Sequence, residues 1–124
     1  MKNLLFIALG GASGALARYA LYVLVHGTES VRFPWATLAV NCLGSFAIGI
    51  AYVLIVERGL LHPDWRGVTM IGFLGAFTTF STFSLEALSL FEAGQTGAAL
   101  LYVLISVFAC LLAVWAGVAL VRLI

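Results

Sequence analysis

The sequence predicts an all-α membrane protein with four transmembrane helices. Three observations carry this. Hydrophobic residues make up 64% of the chain, and the mean hydropathy is +1.16. Charged residues make up only 9%, six basic and five acidic, against about a quarter in soluble domains. The length of 124 residues accommodates four spans of roughly 20 apolar residues each, with short connections and no soluble domain. The same composition excludes disorder. It also argues against a soluble enzyme, and a net charge of +1 offers no basic field for a nucleic acid. Residues 1–124 therefore read as one transmembrane domain.

The first span is predicted over residues 4–25. Lys2 and the following apolar run, with Ala15-Leu16-Ala17, have the outline of a signal peptide and its cleavage site. Gly10, Gly11 and Gly14 interrupt that core, however, and the apolar pattern resumes after Arg18, so the segment reads as a retained helix. The second span covers 35–56 and begins just after Pro34, which suits the first turn of a helix. The third covers 68–91 and the fourth 98–121. The connection at 26–33 holds Glu29 and Arg32, and the one at 57–66 is broken by Gly59 and Pro63. Lys2, Arg58, Arg66 and Arg122 fall on one side of the membrane, while Arg32 falls on the other with Arg18 near it. The bias modestly favours cytoplasmic termini without excluding insertion in both orientations. Cys42 and Cys110 lie deep in apolar runs and read as packing residues, with no disulfide and no metal spacing expected.

Polar groups inside a membrane helix are costly, so each one requires a reason. Gly10, Gly14 and Arg18 share a face at intervals of four. The glycines permit close helix contact. Arg18 either anchors the helix at the interface or draws anions into a vestibule. Asn41, Ser45 and Gly49 form a second such line, in which Asn41 is interhelical glue or a pore donor. The third span is the unusual one. Gly72 and Gly75 precede Thr78, Thr79, Ser81, Thr82 and Ser84, five hydroxyl residues in seven positions. This composition predicts a helix broken near mid-membrane, where freed backbone groups find polar partners. Beyond the break, Phe80 and Phe83 share one face, while Thr79, Thr82, Glu86 and Ser89 follow another. Glu86 would reach an aqueous vestibule or exchange protons. Tyr102, Ser106 and Cys110 make a thin polar track on the fourth helix. Four spans are few for a closed pathway, so an oligomer is expected. Pairing with an oppositely inserted copy would supply the symmetry that an internal repeat gives other transporters.

The run Gly75-Ala76-Phe77-Thr78-Thr79-Phe80-Ser81-Thr82-Phe83-Ser84 closely resembles the signature of the Fluc (CrcB-type) fluoride channels. Gly10-Gly11-Ala12-Ser13-Gly14 with Arg18-Tyr19, and Asn41-Cys42-Leu43-Gly44-Ser45-Phe46, resemble the family's first and second helices in order and spacing. The resemblance implies a passive, fluoride-selective channel of the bacterial cytoplasmic (inner) membrane that confers fluoride resistance. It implies an antiparallel, dual-topology homodimer with two pores. It further implies a structural Na+ at the dimer centre, held by the backbone carbonyls of Gly75 and Thr78. On that pattern Asn41, Phe80, Phe83, Ser81, Thr82, Tyr102 and Ser106 map onto the fluoride pore. Arg18 and Glu86 are vestibule or structural positions. Two residues depart from the pattern: Cys110 stands where the track commonly has Ser, and Val114 where some members have Thr.

The chemistry suits these residues. Fluoride is small and strongly hydrated, so a pore must replace water with close donors, and Asn41, Ser81 and Thr82 carry them. Aromatic rings present a positive edge to an anion. A fixed Lys or Arg at the constriction would trap the ion, whereas conduction needs several weak sites. The main alternative is a proton-coupled fluoride exporter working through Glu86. A small multidrug-type transporter would require a Glu in the first helix, which is absent. A non-transporting membrane subunit would have no use for the hydroxyl cluster. No nucleophile–base constellation or phosphate loop points to an enzyme. His26 and His62 fall in loops.

Overall fold

The computed structural model describes residues 2–26 and 33–124. Glu29 and Arg32 of the first connection lie outside the described residues. Four helical spans are long and apolar enough to cross a membrane: Asn3–His26, Trp35–Glu57, Arg66–Glu92 and Thr96–Arg122. No strand occurs among the described residues. The spans are built from α1 (Lys2–His26), α2 (Trp35–Ala51), α3 (Gly75–Phe77), α4 (Phe80–Glu92) and α5 (Thr96–Arg122). Two π-helical segments extend them, Tyr52–Glu57 after α2 and Arg66–Leu74 before α3.

Local chemistry sets the ends. Pro34 precedes α2, and its carbonyl accepts the Leu38 N–H at 3.2 Å. Gly94 follows α4 with a φ of 76°, which lets the Gln95 N–H reach back to the Leu90 carbonyl at 3.0 Å. That is the left-handed closure glycine favours at a helix C-terminus. Gly59, with a φ of 59°, closes the second span similarly, as the Leu60 N–H bonds the Leu54 carbonyl at 2.9 Å. At the same end, Arg122 donates to Glu57 from Nε at 3.0 Å and from Nη2 at 2.5 Å. Arg58 also donates to the Arg122 carbonyl. These bonds tie the C-terminal ends of the second and fourth spans together.

Large apolar side chains face outward along most of α1 and α5, as lipid-facing surfaces do. Inside, the contacts are backbone-close. α1 packs mainly against the Arg66–Leu74 segment, and α2 mainly against α5. A Cβ added at Gly14 would stand 2.1 Å from the Phe73 carbonyl oxygen, and one at Gly117 would stand 2.2 Å from that of Phe46. Small residues allow this approach in an environment where van der Waals contact replaces the hydrophobic drive. The buried cluster Leu38, Phe83, Leu90, Ala99 and Tyr102 joins α2, α4 and α5 beside it.

The packing makes a direct prediction. Gly117→Val requires the α2 and α5 backbones to separate and should cost about 1–3 kcal/mol. Gly97→Ala meets nothing within 4 Å and should be neutral or slightly stabilising. Thermal unfolding of the two variants in detergent separates these outcomes.

Candidate functional site

The site is organised by two extended residues between α3 and α4. Thr78 has φ −79° and ψ 159°, and Thr79 has φ −152° and ψ 119°. A continuous helix would send each N–H to the carbonyl four residues earlier. Here Asn41 of α2 takes over instead. Its Oδ1 accepts the Thr79 N–H at 2.8 Å, and its Nδ2 donates to the Thr79 carbonyl at 3.0 Å. One side-chain amide thus satisfies both polar groups of one peptide residue. Its second N–H is left for another acceptor.

The consequences spread along the chain. The Gly75 carbonyl no longer receives the Thr79 N–H. The Thr82 N–H, which a helix would give to the Thr78 carbonyl, goes to Thr79 Oγ1 at 3.2 Å. Thr79 therefore caps α4 through its hydroxyl. That hydroxyl also donates to Thr82 Oγ1 at 2.9 Å. Thr78 turns its own hydroxyl back to the Leu74 carbonyl. The carbonyls of Gly75 and Thr78 are both released from their usual helical donors at the edge of one cavity.

That cavity, of about 500 Å³, lies between α2, the third span and α5. Asn41, Ser106, Phe80, Phe83, Gly75 and Thr78 all line it. Ser106 is 6% exposed, and its Oγ has no hydrogen-bond partner among the described residues. An orphaned hydroxyl on a cavity wall is a donor or acceptor available to a ligand. Phe80 is 78% exposed, whereas Phe83 is buried, and their ring centroids are 5.5 Å apart. Cys110 and Val114 continue the wall along α5.

The structure places the remaining predicted residues elsewhere. Ser81 is exposed on the first turn of α4, and Thr82 is engaged in the cap. Tyr102 is fully buried and donates to Glu86 Oε2 at 2.8 Å. Thr37 donates to Glu86 Oε1 at 2.8 Å, and the Tyr22 hydroxyl donates to the same oxygen. Three hydroxyls from three helices thus surround this carboxylate. Phe83 lies between the two clusters, lining the cavity and meeting the Tyr102 ring at 5.1 Å. Arg18 is half-buried and has no hydrogen-bond or ion-pair partner among the described residues.

Sequence reasoning did not single out Tyr22 or Thr37. Tyr22 extends the interval-of-four line through Gly10, Gly14 and Arg18, so its face was legible although its partner was not. Thr37 carried no such signal. No group of three or more His, Cys, Asp or Glu residues suited to a metal occurs among the described residues. Thr78 and Thr79 offer carbonyl and hydroxyl oxygens, the ligand type that hard cations prefer.

Removing the amide should expose the break. Asn41→Ala orphans the Thr79 N–H and carbonyl, at about 1–3 kcal/mol for each buried group left unpaired. A fall in unfolding temperature larger than that of Ser45→Ala on the same helix face is the expected result.

The family model described as "CrcB-like protein, Camphor Resistance (CrcB)" matches residues 5–118. The fluoride-specific ion channel FluC of Hahella chejuensis is 53% identical over 124 residues, covering 100% of this chain and 98% of that protein. FluC of Saccharophagus degradans is 55% identical over 103 residues, covering 83% and 77%. FluC of Geobacter sp. strain M21 is 45% identical over 122 residues, covering 98% of both. With a match along nearly its whole length, the chain belongs to the CrcB-like family.

Proposed function

We propose that the protein is a fluoride-selective ion channel, not an enzyme, that lets fluoride leave a bacterial cell passively across the cytoplasmic membrane and so confers fluoride resistance. The observation that carries this reading is the full-length similarity to proteins named fluoride-specific ion channels. Site chemistry supports it. An anion in the cavity meets the Ser106 hydroxyl and the remaining N–H of Asn41. Next come Phe80 and Phe83, whose rings offer positive rims to an anion. Beyond Phe83 lie Tyr102 and the Glu86 cluster. Ser81 and Thr82 supply further hydroxyls at the start of α4.

The working unit is an antiparallel, dual-topology homodimer with two pores. The exposure of Phe80 on the isolated chain supports this, because a pore-lining ring requires a second wall. The break at Thr78–Thr79 then lies near mid-membrane, the depth at which irregular backbone is tolerated only beside protein or water. The carbonyls of Gly75 and Thr78, freed of helical donors, are the groups that would hold Na+ at the dimer centre. Such an ion supplies a fixed positive potential without a titratable side chain. Arg18 adds positive charge on α1. A proton-coupled exporter would need Glu86 to gain and lose a proton in each cycle. Its carboxylate is instead engaged by three hydroxyl donors, from Tyr22, Thr37 and Tyr102.

Efflux from liposomes tests the reading. With voltage clamped by a potassium ionophore and no proton gradient, fluoride should leave rapidly and chloride should not. Phe80→Ile should slow fluoride at least tenfold, equivalent to about 1.4 kcal/mol on the barrier. Fluoride movement only under a proton gradient would replace the channel with a coupled exporter, and unchanged flux in Phe80→Ile would remove the ring from the pathway.

A further inference from the structure

Cys42 and Cys110 meet across the interface of α2 and α5, with their sulfurs 3.9 Å apart. Both are free thiols and both are half-buried. Cys110 opens onto the cavity wall beside Asn41 and Ser106, while Cys42 packs behind it against the buried cluster of Tyr102 and Phe83. We propose that this pair is a two-coordinate site for a thiophilic divalent metal ion, entered from the cavity through Cys110.

Geometry, charge and softness select this ligand. Thiolate–metal bonds of about 2.3 Å in a linear arrangement place two sulfurs roughly 4.6 Å apart. The observed pair needs to open by well under one ångström, which small rotations about the Cα–Cβ bonds supply. A disulfide would instead require the sulfurs to close to about 2.04 Å. Two thiolates and one divalent ion form a neutral unit, whereas a monovalent ion would leave a buried net charge. No third His, Cys, Asp or Glu joins the pair among the described residues, which disfavours the four-coordinate geometry of zinc. Soft sulfur ligands and low coordination point to a mercury(II)-type ion. With mercuric chloride, each thiol loses its proton and each sulfur bonds the metal, releasing two protons and two chloride ions. The bridge fixes α2 to α5 beside Ser106 and obstructs the cavity.

The test uses the purified full-length chain and mercuric chloride. One equivalent per chain should consume both thiols. Intact mass under denaturing, non-reducing conditions should show one mercury per monomeric chain. The metal should survive gel filtration in a monothiol that strips it from Cys42→Ala and from Cys110→Ala. Consumption of two equivalents, a metal-linked dimer, or equal loss from wild type and single-cysteine variants would overturn the site. The wild-type stoichiometry decides even where a variant fails to fold. In liposomes, loading should abolish fluoride efflux and a dithiol should restore it, and full efflux from loaded protein would overturn the obstruction. This last readout rests on the channel reading. Its failure is recognised separately, because unloaded protein would then pass no fluoride while the thiol count stayed informative.

Discussion

The bidentate contact between Asn41 and the Thr79 backbone is the constraint on which the rest of the site depends. A helix interrupted inside an apolar bundle exposes peptide groups that no water can satisfy, each costing several kcal/mol in hydrocarbon. Asn carries a donor and an acceptor on one rigid plane and answers both at once. With Thr79 held extended, its hydroxyl is placed to cap α4, and α4 begins at Phe80. The capped helix then presents Phe80 and Phe83 to the cavity. The carbonyls of Gly75 and Thr78 lose their helical donors as a direct result. One side-chain amide thereby sets the break, the orientation of the ring pair and the oxygen-rich edge.

Close backbone packing makes the contact possible. Gly10, Gly14 and Gly72 bring α1 against the third span, while Gly49 and Gly117 bring α2 against α5. Polar groups then gather in two places rather than along a continuous line. One is the cavity with Asn41 and Ser106, and the other is the Glu86 carboxylate with its three hydroxyls. Phe83 and Tyr102 separate them with ring contact. For the proposed conduction, this alternation supplies several moderate sites in place of one deep trap, the condition for passage.

Much of this was legible from the residues. Four apolar runs of membrane length announced four helices, because hydropathy integrates over whole spans. The glycine lines at intervals of four announced close contact, because the helical period alone puts those positions on one face. The Gly75–Ser84 run carried the family resemblance. Side-chain pairing between helices was less accessible. The sequence left Asn41 as glue or donor, and the geometry gives its amide to Thr79 with one N–H to spare. Tyr102 read as part of a track with Ser106, yet it turns to Glu86 while Ser106 faces the cavity. Two residues one turn apart on a helix differ by about 40° in direction, enough to separate their partners. The meeting of Cys42 with Cys110 depends on the register of α2 against α5, which no periodicity in either helix encodes.

Amide hydrogen exchange at Thr79 tests the central claim most directly. In wild-type protein the Thr79 N–H should be protected, and in Asn41→Leu it should exchange far faster while the amides in the middle of α4 stay slow. Equal Thr79 exchange in the two proteins would contradict the account, because the break would then be held by something other than the Asn41 amide.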